Sequence, residues 1–125
     1  MTKLEAVTNQ FSKALERLEE VLGVEKTDIV RDSAIQRFEF TLDLSWKTLK
    51  AFIEEKEGII CASPKECFRE AYRQGIIQYD DIWIKFVDMR NETAHTYNEE
   101  IAKKIYSQLP ETVKYFRELL SAIKK

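Results

Sequence analysis

The sequence predicts an all-α protein, an up-and-down bundle of four main helices with one additional short helix. Apolar residues recur at three- and four-residue spacing along most of the chain, and no segment shows the alternating pattern of a strand. Only three glycines and two prolines occur among 125 residues, so few turns are expected. The length fits one domain over residues 1–125, and 44% hydrophobic residues suffice for a buried core.

The first two helices are predicted over residues 2–22 and 27–57. Gly23 is placed to end the first helix, and Thr27 precedes the second. The main inward row of the second helix comprises Arg31, Ile35, Phe38, Leu42, Ser45, Leu49 and Phe52. A second apolar row is formed by Phe40, Leu44 and Ala51. Two apolar faces indicate either an additional contact, for example with another copy of the chain, or a central helix surrounded within one subunit.

A short third helix is predicted after the apolar connector that contains Cys61. Ser63 and Glu66 have the spacing of a capping box around Pro64, which suits the first helical position. Gly75 is placed to close this helix. Its inward-facing residues are expected to be Cys67, Phe68, Ala71 and Tyr72.

The fourth helix begins at Asp80-Asp81 and carries an apolar stripe that runs into an arginine. The stripe comprises Trp83, Phe86 and Val87, followed by Arg90 and then Ala94. A guanidinium in a core position is costly unless a carboxylate pairs with it, or unless it faces a wet cleft or an interface. Arg90 is therefore the first indication of a functional site.

The last helix is expected to start after Asn98, whose side chain is placed to cap it. Its apolar row continues to Ile123. Pro110 removes one backbone donor inside this row, so a kink or a brief interruption is expected there.

Charge, cysteine and hydropathy patterns limit the class of protein. A formal net charge of -2 gives no overall positive field for nucleic acid, so any RNA contact must be local. Cys61, Cys67 and a single histidine cannot form a Cys/His zinc site. No signal-peptide core or bilayer-length apolar run is present. We therefore expect a cytoplasmic protein without membrane contact, with reduced thiols.

The segment around the single histidine carries the candidate chemistry. Arg90 and His95 are five residues apart and meet most easily if the helix ends or loosens near Ala94. An imidazole that exchanges a proton near pH 7, beside a guanidinium that holds a phosphate, can cleave RNA without a metal because RNA supplies its own 2'-hydroxyl. The reaction needs both an acid and a base, which a twofold dimer with two His95 side chains would provide.

A purely structural interpretation of the same residues is open. Arg90 would then pair with an acid on the second helix, such as Glu39 or Asp43, and His95 would only cap the helix. Tyr97 would be a partly buried aromatic residue. Spacing alone favours this interpretation, because an arginine and a histidine make a weak signal.

The whole chain, however, resembles a known family. Arg90-Asn91, His95 and Tyr97 reproduce the Arg-x-x-x-x-His-x-Tyr motif of the HEPN superfamily. Within this superfamily, the chain resembles the branch of nucleotidyltransferase substrate-binding proteins. The sequence blocks that carry this resemblance are Phe38-Glu39-Phe40, Trp46-Lys47-Thr48-Leu49-Lys50, Ser63-Pro64, Ala71 with Gly75-Ile76-Ile77, and Asp81-Ile82-Trp83. These blocks extend the similarity over nearly the entire chain.

The resemblance implies a homodimeric toxin that binds a cognate minimal nucleotidyltransferase, its antitoxin. It implies a metal-independent endoribonuclease with no cofactor, in which Arg90 and His95 are catalytic and Asn91 supports them. The partner would silence it by transferring AMP from ATP to Tyr97. Two alternatives stay open: a non-catalytic subunit that presents a nucleotide or substrate to the nucleotidyltransferase, and a purely structural bundle, which leaves Arg90 unexplained.

Overall fold

The computed structural model describes residues 1–125 and contains no strand, which confirms the all-α prediction. A 3-10 turn at Thr93–His95 separates the last two of its five helices. The helices are α1 (Lys3–Leu22), α2 (Asp28–Glu57), α3 (Pro64–Arg73), α4 (Asp81–Glu92) and α5 (Glu99–Lys124). None of them combines the length and the apolar composition needed to cross a bilayer.

Side chains at the helix starts satisfy backbone groups as the sequence predicts. The hydroxyl of Thr27 accepts a hydrogen bond from the amide of Val30, and that of Ser63 accepts one from the amide of Glu66. The Glu66 carboxylate in turn accepts a hydrogen bond from the Ala62 amide, one residue before the N-cap. At the other end of α2, Gly58 adopts a φ of 67°, the left-handed conformation that favours glycine.

Helix α2 is the central element, because it packs against each of the other four helices. Its main row is buried, including Phe38 and Leu49, except for Phe52, which is half-buried. Of the second row, Ala51 is buried, whereas Phe40 is 52% exposed. The subunit therefore shows the central-helix arrangement, with Phe40 remaining on the outer face.

An aromatic cluster joins the five helices at the middle of the core. The Phe116 ring of α5 lies 6.0 Å from that of Phe11 on α1 and 6.2 Å from that of Phe38 on α2. Trp83 of α4 lies 5.6 Å from Phe116 and stacks on Phe68 of α3 at 4.8 Å. The stacking sets the position of α4, which leads to the candidate site.

The structure differs from the expectations at two individual residues. Tyr72 is 49% exposed and not turned inward, because the buried position on that face of α3 is taken by Ala71. Of the kink or brief interruption expected at Pro110, the interruption is absent, because α5 is continuous through this residue. Pro110 is exposed, so solvent can satisfy the Tyr106 carbonyl that has lost its helical partner.

The cysteines are also not the reduced thiols expected from the sequence. Cys61 and Cys67 form a disulfide, with their Cα atoms 5.2 Å apart. Both residues are buried, and they tie the connector after α2 to the first turns of α3. Ser63, which lies between them in the chain, caps the start of α3.

Reduction of this disulfide should lower the free energy of unfolding by about 2 kcal/mol, the chain-entropy value for so short a loop. Urea unfolding with and without a thiol reductant measures the difference. The double variant Cys61→Ala, Cys67→Ala is the control, and its stability should not respond to the reductant. Equal stability of the wild type in both conditions would mean that the thiols are free in solution.

Candidate functional site

The apolar stripe of α4 leads to the site and ends at Arg90. Trp83, Phe86 and Val87 are buried as predicted. Ala94, the next position of the predicted stripe, is exposed, because α4 ends at Glu92. The chain continues as a 3-10 turn, so the helix loosens near Ala94, which is the condition under which Arg90 and His95 meet most easily.

A carboxylate on the central helix holds Arg90. Its Nε and Nη2 atoms donate to Asp43 at 3.2 and 3.1 Å, and Nη1 donates to the Thr93 hydroxyl at 3.1 Å. Glu39 lies 3.6 Å from Nη1. The hydrogen bonds to Asp43 raise the pKa of Arg90 above its ordinary value. The predicted ion pair between Arg90 and an acidic residue of α2 is thus present, yet the side chain of Arg90 remains 32% exposed.

His95 and Tyr97 lie together on the surface. Tyr97 is 85% exposed, and its Oη atom is 3.4 Å from Nδ1 of His95. The two rings meet nearly at right angles, with centroids 5.9 Å apart. The predictions that His95 only caps the helix and that Tyr97 is partly buried are wrong. The His95 backbone carbonyl, and not its imidazole, accepts the hydrogen bond from Asn98 that closes the turn.

The four residues of the motif do not form a pocket within one chain. Arg90 and His95 make no hydrogen bond with each other, and the Asn91 side chain is exposed and makes none. None of the larger surface cavities is lined by Arg90, Asn91, His95 or Tyr97. No group of three or more His, Cys, Asp or Glu side chains is placed to hold a metal ion. The arrangement is an open surface that offers an imidazole, a phenol and a guanidinium.

A second arginine, which is buried and which the sequence reasoning did not single out, holds the start of α5. Arg31 is only 3% exposed, and it donates to Glu99 through Nη1 at 3.0 Å and Nη2 at 3.2 Å. Its Nε donates to Asp32 at 3.2 Å. Arg31 stands in the apolar row of α2, so the signal that revealed Arg90 also marks it. Because Glu99 lies two residues after Tyr97, this contact anchors the loop of the site to α2.

The ion pair of Arg31 and Glu99 should make the stability of the fold depend on pH in the acidic range. Hydrogen bonds from Arg31 lower the pKa of Glu99 below its ordinary value of about 4.5. The stabilisation is therefore complete above that value and is lost as the pH falls through the lower pKa of the folded state. In Glu99→Gln this part of the pH dependence should disappear, whereas Glu100→Gln, on the same exposed turn, should keep it. Thermal unfolding between pH 3 and 7 measures the effect, and identical profiles for both variants would contradict it.

A family model described as nucleotidyltransferase substrate binding protein like matches residues 2–125. The chain belongs to this HEPN-like family. A curated relative, the probable ribonuclease HepT of Haemophilus influenzae, is 38% identical over an alignment of 89 residues, and the match covers 65% of this chain. The match spans 61% of that relative's own length.

Two solved structures share the fold of this nucleotidyltransferase substrate-binding family member. A protein from Thermus thermophilus has 37% sequence identity and a TM-score of 0.88, covering 92% of this chain and 99% of its own. A Haemophilus influenzae protein has 27% identity and a TM-score of 0.69, covering 98% of this chain and 97% of its own. The latter has the fold of a substrate-binding domain of a nucleotidyltransferase.

Proposed function

We propose that this family member is a metal-independent endoribonuclease in which Arg90 and His95 are catalytic. The observation that carries the proposal is the exposed imidazole of His95, in contact with Tyr97, directly after a helix whose last core position is Arg90. The similarity to a protein named as a probable ribonuclease supports the same activity. A structural role alone would not require an exposed histidine and tyrosine pair at this point.

The proposed reaction uses the 2'-hydroxyl of RNA as the nucleophile. His95 accepts the proton from this hydroxyl, its oxygen forms a bond to phosphorus, and the bond from phosphorus to the 5' oxygen breaks. An acid protonates the leaving 5' oxygen, which leaves a 2',3'-cyclic phosphate and a 5'-hydroxyl. Asn91, exposed next to Arg90, would support the substrate.

Arg90 would stabilise the charge on the phosphate. Three of its five N–H groups are engaged by Asp43 and Thr93, so two remain for a phosphate oxygen. Asp43 at the same time fixes the plane of the guanidinium, which orients the remaining donors.

A homodimer would supply the second proton-transfer group. Each chain has one histidine, and the residues of the motif form no enclosed site within one chain. Two copies related by a twofold axis would place two His95 side chains around one cleft. Analytical ultracentrifugation tests this directly, and a chain that stays monomeric at the concentration of the activity assay would exclude it.

The proposed partner is a cognate minimal nucleotidyltransferase that acts as antitoxin. Attack of the Tyr97 hydroxyl on the α-phosphorus of ATP would form a phosphodiester to AMP and release pyrophosphate. The 85% exposure of Tyr97 makes its hydroxyl accessible to a second protein. The adduct would carry a negative charge beside His95 and repel RNA. Unchanged RNA cleavage by a chain fully adenylylated at Tyr97 would rule out this switch.

The activity is tested by cleavage of mixed transfer and messenger RNA in excess chelator, with Tyr97 shown to be unmodified by intact mass. His95→Ala should lower the cleavage rate by about a hundredfold to ten-thousandfold, because it removes the general base. Equal cleavage by both proteins would indicate a contaminating nuclease and would contradict the proposal.

A non-catalytic subunit that presents a nucleotide or substrate to the nucleotidyltransferase is the second candidate. The observation that favours it is the engagement of Arg90 by Asp43, which leaves its side chain only partly available. In that case the wild type would bind the nucleotidyltransferase without cleaving RNA, and His95→Ala would bind it equally well.

A further inference from the structure

A cavity of about 370 Å³ lies at the opposite end of α4 from His95. The 12 residues of α4 place the two about 18 Å apart along the helix. The walls of the cavity come from the connector between α3 and α4 and from the second half of α5. The lining side chains that matter below are Ile77, Tyr79, Trp83, Lys114, Tyr115 and Glu118. The volume is within the range of small-molecule sites.

The cavity offers aromatic rings at fixed positions. Trp83 is 2% exposed and is held by stacking on Phe68 and by edge contacts with Phe86 and Tyr115. Tyr115 is half-buried, whereas Tyr79 is 63% exposed and accessible to a ligand. Aromatic surfaces at these positions suit a flat ring, on which stacking is favourable for any heteroaromatic compound.

The indole N–H of Trp83 has no hydrogen-bond acceptor within the chain. Every side-chain nitrogen or oxygen that is inaccessible to solvent has a hydrogen-bond partner. Because the indole N–H has none, it must retain access to solvent. Trp83 is buried on its other sides by the aromatic cluster, and it lines this cavity. A free donor on a buried side chain that lines a cavity is available to a hydrogen-bond acceptor bound there.

The two charged residues of the cavity are also without partners. Lys114 and Glu118 lie one turn apart on α5, and neither is within ion-pair distance of an opposite charge. The Lys114 ammonium is instead 5.8 Å from the centre of the Tyr115 ring. Their charges cancel, so the cavity favours neither an anion nor a cation. It favours a neutral ring whose edge has both acceptors and donors.

We infer that this cavity is a binding site for a nucleobase, with guanine preferred. The guanine edge carries the acceptors O6 and N7 for Lys114 and the indole N–H, and the adjacent donors N1–H and N2–H for the Glu118 carboxylate. The ring lies against Tyr79 and Tyr115. The base can belong to a free nucleotide or to single-stranded RNA. The inference does not depend on catalysis at His95.

Fluorescence of Trp83 reports on the site directly. The chain has two tryptophans, so Trp46→Phe leaves Trp83 as the single indole. Titration of this variant with GMP should quench the emission to saturation, and CMP should need about ten times the concentration. When His95→Ala is combined with Trp46→Phe in one chain, a short single-stranded RNA with one guanine can be titrated without cleavage.

Variants of the lining residues separate specific binding from general quenching. Tyr79→Ala should weaken binding about tenfold, whereas Tyr72→Ala, a similarly exposed tyrosine outside the cavity, should leave it unchanged. Glu118→Gln should remove the preference for GMP over CMP. Saturation by GMP identifies a free-nucleotide site, and saturation by the RNA alone identifies an RNA-binding site. The inference is overturned if neither ligand quenches saturably, if GMP and CMP bind equally, or if the two tyrosine variants behave alike.

Discussion

Replacing Arg90 by lysine should lower the rate of RNA cleavage about a hundredfold, although the positive charge is kept. The guanidinium uses Nε and Nη2 to hold Asp43 and still has two N–H groups for a phosphate. A lysine ammonium at this position cannot do both, because it is a single point of charge without the planar fork. The measurement is the initial rate of cleavage in chelator at saturating RNA.

Arg117→Lys is the matched control for this substitution. Arg117 of α5 makes the same two-atom pair with Glu19 of α1, with Nε 2.9 Å from the carboxylate, but lies away from the motif. Both variants should change the free energy of unfolding by at most about 1 kcal/mol, as expected for exposed ion pairs. Cleavage by Arg90→Lys at the rate of Arg117→Lys would remove Arg90 from the proposed chemistry.

Replacing Phe116 by alanine should lower the free energy of unfolding by about 3–5 kcal/mol. The side chain is fully buried, and its ring contacts Phe11, Phe38, Trp83 and Phe86 at centroid distances of 5.6–6.5 Å. Because these neighbours belong to three other helices, no single helix can move to fill the cavity. The loss therefore includes both the buried apolar surface and the empty volume.

Urea unfolding followed by circular dichroism measures this loss. Phe40→Ala removes the same side chain from a 52% exposed position on α2, and we expect a change of at most about 0.5 kcal/mol. A similar loss in both variants would mean that Phe40 is covered in solution, as at an interface between two copies. A small loss in both would show that the aromatic cluster is not well packed.

The local pattern of the chain was sufficient to predict each helix to within about two residues at its ends. Capping residues such as Thr27 and Ser63 bond to groups three residues away, so their effect is contained in the neighbouring sequence. Arg90 was found for a related reason, since one charged residue interrupts a regular apolar stripe. The same test applied to α2 would have found Arg31, which stands in the apolar row and is buried.

The tertiary structure alone decided which groups meet across long separations in the chain. Arg90 could have paired with Glu39 or Asp43, which are one turn apart on α2, and the rotation of α2 against α4 selects Asp43 for the hydrogen bonds. The pair of Arg31 and Glu99 joins residues 68 apart, and the disulfide needs two Cα atoms 5.2 Å apart. Sequence periodicity describes the faces of each helix but not how helices turn and pack against one another. The sequence by itself thus determined the helices and the residues of the motif, whereas packing determined their partners and left His95 and Tyr97 on an open surface.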